Sequence, residues 1–183
     1  MEKCYLFLSE KKKTSSMQLP KKFKLSLFFV FSFFSLVAQT LPSKNITIND
    51  GLPSNSIKCF FKDSRGILWI GTEAGLCAYD GTSFKIYNES NGLKHSQIWA
   101  IAEDNNKNLW LSIYGQGLAK FDGKKFTYFD KKDGLIHNSI RKIYFSKKYN
   151  CLILGTENGL SLFDGKKFKS FVLKTSLNRF QVV

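Results

Sequence analysis

Residues 51–91 read GLPSNSIKCFFKDSRGILWIGTEAGLCAYDGTSFKIYNESN, and the same layout returns twice further on. Residues 92–133 read GLKHSQIWAIAEDNNKNLWLSIYGQGLAKFDGKKFTYFDKKD, and 134–173 read GLIHNSIRKIYFSKKYNCLILGTENGLSLFDGKKFKSFVL. Gly51/Gly92/Gly134, Ile57/Ile98/Ile140, Gly75/Gly117/Gly159, Asp80/Asp122/Asp164 and Phe84/Phe126/Phe168 recur at intervals of 41 or 42 residues. A fixed period of this length marks a repeat architecture, in which each unit buries apolar surface against its neighbours.

Each copy divides into four strand-sized runs separated by turn chemistry. In the first copy the runs are about 57–62, 67–72, 76–79 and 83–88, with Asp63-Ser-Arg-Gly66, Glu73-Ala-Gly75 and Asp80-Gly81 between them. The Asp-Gly step returns at 122–123 and 164–165, and both residue types tolerate the positive φ of a tight hairpin. No segment keeps a helical period, so the expected fold class is all-β. In the third run Tyr79, Phe121 and Phe163 share a face with Cys77, Ala119 and Ser161, while Leu76, Leu118 and Leu160 point the other way. Both faces are therefore apolar, as stacked sheets require. Trp69 and Trp110, replaced by Ile153 in the third copy, are expected to be core anchors.

The elements GLPSN-x-I, D-x-x-G-x-L-W-I-G-T, G-L and Y-D-G together resemble the two-component regulator propeller repeat, over about 51–173 and most closely in the first copy. That family is typical of the periplasmic sensor regions of hybrid two-component histidine kinases. The resemblance implies a partial β-propeller of about three four-stranded antiparallel blades: 51–91, 92–133 and 134–173. Within it, 40–50 would be a lead-in strand and 174–183 the start of a missing blade. The second copy inserts one residue after Trp110, and the third loses both the Asp-to-Gly hairpin between strands one and two, as at Asp63–Gly66, and the tryptophan of strand two. Three blades do not close a ring of four to eight. The chain thus reads as truncated, or as a short relative that self-associates or joins further blades from another chain. By resemblance, the function is a non-catalytic periplasmic sensor module for a glycan or other small extracellular ligand, with a membrane histidine kinase as partner. The alternatives are a cell-envelope scaffold or interaction propeller and a sugar-binding β-trefoil, whose three units of about 40 residues match the count but whose Gln-x-Trp signature is missing.

Ahead of the repeats, Lys21, Lys22 and Lys24 precede the apolar run Leu25–Val37, and Ala38-Gln39-Thr40 follows. Basic start, short apolar centre and small residue make a secretory signal peptide over 17–39, expected to be helical, with cleavage near Ala38–Thr40. Residues 1–16 are polar and read as a mis-annotated or disordered leader, with Met17 as the better start. The address is periplasmic or secreted. The lysines and glutamates of 1–39 account for five of the net +14, leaving +9 on the repeats. That remaining charge sits largely in turn pairs such as Lys124-Lys125 and Lys166-Lys167, and no stretch resembles a nucleic-acid-binding strand.

Catalytic chemistry is not suggested. Ser, His and Asp recur only at turns, no cofactor or metal motif is present, and Asp104–Asn108 lacks the glycine and glutamate of a calcium loop. Cys59, Cys77 and Cys151 lie in strand segments and read as small buried hydrophobes, with a Cys59–Cys77 bridge left open. Binding remains. The loops before strand one and between strands two and three emerge on one face and would carry Asn55, Glu73, His95, His137 and Glu157. Trp99 stands where the other copies have Lys58 and Arg141, so the expected recognition patch is Trp99 with Lys58 and Arg141, flanked by Asn55, His95 and His137.

Overall fold

The computed structural model describes residues 45–174 and 179–182. The leader over 1–16, the signal peptide over 17–39, its cleavage site and residues 40–44 lie outside the described residues.

Among the described residues, thirteen strands form three antiparallel sheets in strict chain order. The first sheet holds β1 (Ile57–Lys62), β2 (Leu68–Thr72), β3 (Leu76–Tyr79) and β4 (Phe84–Tyr87). The second holds β5 (Ile98–Glu103), β6 (Leu109–Ile113), β7 (Gly117–Phe121) and β8 (Phe126–Phe129). The third holds β9 (Ile140–Ser146), β10 (Cys151–Thr156), β11 (Gly159–Phe163) and β12 (Phe168–Lys174). Each sheet is an up-and-down meander, as two- to five-residue turns between antiparallel strands dictate.

The sheets stack face to face in series. Trp69, Leu76 and Ala78 of the first pack with Ile101, Leu109, Leu111, Ala119 and Phe121 of the second. The opposite face of the second, with Trp110 and Leu118, packs with Leu152, Leu154 and Phe163 of the third. Period-two alternation explains this: odd positions of β6 face one neighbour and even positions the other. The first strands β1, β5 and β9 lie side by side, and β5 is held between the other two. These are propeller-like blades in an open series, and the threefold closure of a β-trefoil is not what the sheets form.

Two expected features are corrected. Within 40–50, expected to be a lead-in strand, the described end is a 3-10 turn over Ile48–Asp50, N-capped by Thr47 and closed by Gly51 at φ 112°. The same turn recurs at Glu89–Asn91 and Lys131–Asp133, each with a reciprocal capping box and a left-handed Gly92 or Gly134. The capping box satisfies the turn's free N–H groups, and the leucine after each glycine (Leu52, Leu93, Leu135) drops into the core. What looked like strand is thus a three-fold repeated blade connector. Residues 179–182, read as the start of a missing blade, form β13 (Arg179–Val182), which pairs antiparallel with β12 as a fifth strand of the third sheet.

Cys59 lies with the cluster between the first two sheets, whereas Cys77 lies in a cluster with Leu52 and Ile70 on the other face of the first sheet. Both thiols are free. Side chains on opposite faces of a sheet cannot be bridged without rearranging the strand.

Candidate functional site

The site begins with a repeated irregularity in the ladders. In the first sheet Ile57 pairs with Thr72 and Cys59 with Gly71, so Lys58 is an extra residue without a partner. The second sheet skips Trp99 between Ile98 and Ala100, and the third skips Arg141 between Ile140 and Lys142. Each blade therefore carries a β-bulge at the same point of its first strand. A bulge turns its extra side chain out of the regular alternation and kinks the strand, a device found beside binding sites. The three expected patch residues are these three bulge residues.

Each bulge residue faces the first residue of its own β2–β3-type turn. Lys58 Nζ pairs with Glu73 at 2.5 Å. Arg141 pairs with Glu157 through its guanidinium. Trp99 stacks on Tyr114 with ring centroids 4.8 Å apart and 14° between planes. The turn residues are held in place by equivalent backbone bonds, from the N–H of Glu73, Tyr114 and Glu157 to the carbonyls of Ser56, Gln97 and Ser139. The pattern across the blades is ion pair, aromatic pair, ion pair.

Two of the three positions come together. The Arg141 guanidinium lies 4.2 Å from the centroid of Trp99 and 5.6 Å from that of Tyr114, bridging the second and third blades. Cation–π contacts at partly exposed sites are worth about 0.5–1 kcal/mol, and an offset aromatic pair about as much again. Trp99 is half-buried and Tyr114 is 43% exposed. The indole Nε1 of Trp99 is buried without a hydrogen-bond partner. Lys58 is held to Glu73 within its own blade and extends the row on the other side.

The flanking residues do other work. The Asn55 side chain accepts from the N–H of Ile48 at 3.0 Å, and Asn138 does the same for Lys131 in the third repeat. His137 Nδ1 accepts from the N–H of Ser139 at 3.0 Å, as Ser54 Oγ accepts from Ser56 in the first. A histidine and a serine thus cap the same connector. His95, at the equivalent position of the second repeat, is exposed. Asp104 accepts from the N–H groups of Asn106 and Asn108, so this stretch is an Asx-organised hairpin. Among the described residues, no cluster of His, Cys, Asp and Glu could hold a metal ion.

Tyr114 was missed in the sequence, because it opens the turn that carries the inserted residue. The signal was nevertheless there. Where the bulge residue is basic the turn residue is Glu73 or Glu157, and where it is Trp99 the turn residue is Tyr114.

Residues 51–74 and 92–115 match the family model described as "Two component regulator propeller". A histidine kinase from Formosa agariphila is 39% identical over 66 residues, which are 35% of this chain and 5% of that protein. The crystal structure of the extracellular domain of a hybrid two-component system from B. thetaiotaomicron is 26% identical, with a TM-score of 0.53 over 69% of this chain and 17% of that one. The extracellular domain of a one-component system from the same organism shares the fold, at 16% identity and a TM-score of 0.56, covering 72% of this chain and 25% of that one. The chain therefore spans a small fraction of these relatives.

Proposed function

We propose, from the premise that this chain carries two-component regulator propeller repeats, that it is a non-catalytic sensor-type module that binds a small ligand outside the cytoplasm. The observation that carries the reading is the row of bulges, which sets Trp99, Tyr114 and Arg141 into one aromatic and cationic cluster at the first strands. A propeller offers little chemistry in its sheets, and it binds through side chains turned out of them. A partly exposed aromatic pair beside a guanidinium suits the flat face of a sugar ring or a planar side chain, so a glycan or a related extracellular ligand is the occupant we assign. The similarity to extracellular domains of two-component systems supports an address beyond the inner membrane, reached by the signal peptide over 17–39 with cleavage near Ala38–Thr40. Transmission to a membrane histidine kinase completes the reading.

The test is binding of a glycan panel to the full chain, followed by Trp99→Ala. Loss of binding with an unchanged far-UV spectrum and unfolding midpoint supports the site. Unchanged binding with a lowered midpoint would reduce Trp99 to a packing residue.

Association with further blades is part of the same proposal. The outer face of the third sheet carries half-buried Ile153, Leu160 and Leu162, at the positions by which the second sheet receives a neighbour. Sedimentation of the purified chain as a clean monomer at all concentrations would count against it.

A further inference from the structure

We propose that the Trp99 site selects a flat ring bearing a carboxylate, with Glu157 as its built-in competitor. The ligand's carboxylate takes Arg141 over from Glu157 while its ring lies against Trp99 and Tyr114. This rests on the site reading above and adds the class of ligand.

Arg141 is the pivot. Its guanidinium lies against both rings and carries the Glu157 carboxylate on the same side chain. Both partners of that ion pair are open to water, with side chains 42% and 37% exposed. An exposed ion pair is weak because water screens it and two long side chains must be held still. Replacing one carboxylate by another on the same guanidinium therefore costs little. The planar fork of an arginine also receives a carboxylate through two parallel N–H donors, which a lysine does not offer.

The orphaned Trp99 Nε1 is the second, independent sign. Buried donors are almost always satisfied, and one left without an acceptor calls for an explanation. A ligand oxygen entering beside Arg141 supplies that acceptor. A neutral ring gains only the stacking, since it leaves the Arg141–Glu157 pair in place. An acidic ring gains the stacking and the guanidinium, less the cost of displacing the Glu157 carboxylate from Arg141. The first blade provides an internal control: Lys58 and Glu73 repeat the ion pair with no aromatic partner of their own bulge.

The experiment uses the full chain, with tryptophan fluorescence and calorimetry as readouts and three probes: trigalacturonate, neutral trigalactose and benzoate. Trigalacturonate is expected to bind at least tenfold more tightly than trigalactose. Glu157→Gln should tighten it severalfold and leave trigalactose unchanged, while Glu73→Gln changes neither. Arg141→Ala should bring trigalacturonate down to the level of the neutral sugar. Should that variant unfold, Arg141→Lys keeps the charge without the fork and should lose most of the preference. Benzoate binding with the same response to Glu157→Gln means that any flat carboxylate suffices, and binding of trigalacturonate alone points to an acidic sugar. Equal binding of acidic and neutral sugars, or no gain with Glu157→Gln, overturns the inference and leaves the site standing if Trp99→Ala abolishes both. Binding of none of the probes, or binding that ignores Trp99→Ala, overturns the site reading as well.

Discussion

The indole Nε1–H of Trp69 donates to Oδ2 of Asp63 at 3.0 Å across the first hairpin, and Trp110 donates to Asp104 at 2.9 Å in the second. Asp63 is 5% exposed and gathers four further donations, from the N–H groups of Arg65 and Ile67 and from two guanidinium nitrogens of Arg65. One carboxylate thus shapes the turn and satisfies the polar atom of the largest core side chain. In the third repeat the aspartate is Ser146 and the tryptophan is Ile153. Without an indole N–H to satisfy, no buried carboxylate is needed, so the two residues are lost together.

A double-mutant cycle reads this bond directly. Asp63→Ala and Trp69→Phe, alone and combined, are expected to show a coupling of about 1.5–3 kcal/mol in urea unfolding, the range for hydrogen bonds to a charged group. Additive effects would mean that the turn and the indole are held independently.

Acid should weaken the fold. Burial alone would raise the Asp63 carboxyl, but the bonds from Trp69 and Arg65 and the two backbone N–H groups outweigh it and hold it below its usual value. Asp80, Asp122 and Asp164 are also held low, each first by backbone N–H groups of its own turn. A carboxyl depressed in the folded state contributes stability above its unfolded value of about 4 and loses it as pH falls through the folded one. The unfolding midpoint should therefore be flat from pH 7 to 5 and drop below pH 4. Asp63→Asn should lower stability at neutral pH and flatten part of the drop, which thermal melts across pH would reveal.

Gly71, Ser112 and Gly155 occupy one repeat position with different surroundings. A Cβ on Gly71 would sit 2.5 Å from Cys59 Sγ and 2.9 Å from the Ile98 carbonyl oxygen of the next blade. At Ser112 the hydroxyl donates to the Ile140 carbonyl of the blade after. A Cβ on Gly155 meets nothing nearer than Lys142 Cβ at 3.9 Å. Neither glycine needs a left-handed backbone, so crowding alone decides. Gly71→Ala should cost about 1–3 kcal/mol, the usual range for overpacking, and Gly155→Ala should be close to neutral. Equal costs in a denaturant titration would refute the distinction.

Much of the fold was legible because period, alternation and Asp-Gly turns all pointed to the same four-strand unit. The connector was not. Ile46-Thr-Ile alternates like a strand, and only the pairing of Thr47 with Asp50 ahead of Gly51 betrays a capped 3-10 turn. For the candidate site, a polar residue in two copies and Trp99 in the third singled out the strand position that carries the bulge. The bulge that turns it outward has no composition of its own, so the sequence marked the residue without its cause. Asn55 and His137 were drawn in because they share that end of the blades, and their bonds commit them to the connectors. Tyr114 was hidden by the inserted turn residue.

The cysteines offer a last test of the register. Cys59 pairs across to Gly71 and Cys77 to Ile70, adjacent residues of β2, so the two thiols leave the sheet on opposite sides. Burial pushes both up to about 11, partly offset at Cys59 by the Gly71 backbone and by Lys142. At pH 8 such a thiol is ionised in roughly one molecule in a thousand, and the thiolate is the reactive form. Iodoacetamide at pH 8 should leave both unlabelled until denaturant is added, and mild oxidation should yield no Cys59–Cys77 peptide on mapping. Recovery of that cross-linked peptide from folded protein would mean that β1 or β3 is shifted by one residue, which would turn its whole set of apolar side chains to the wrong face.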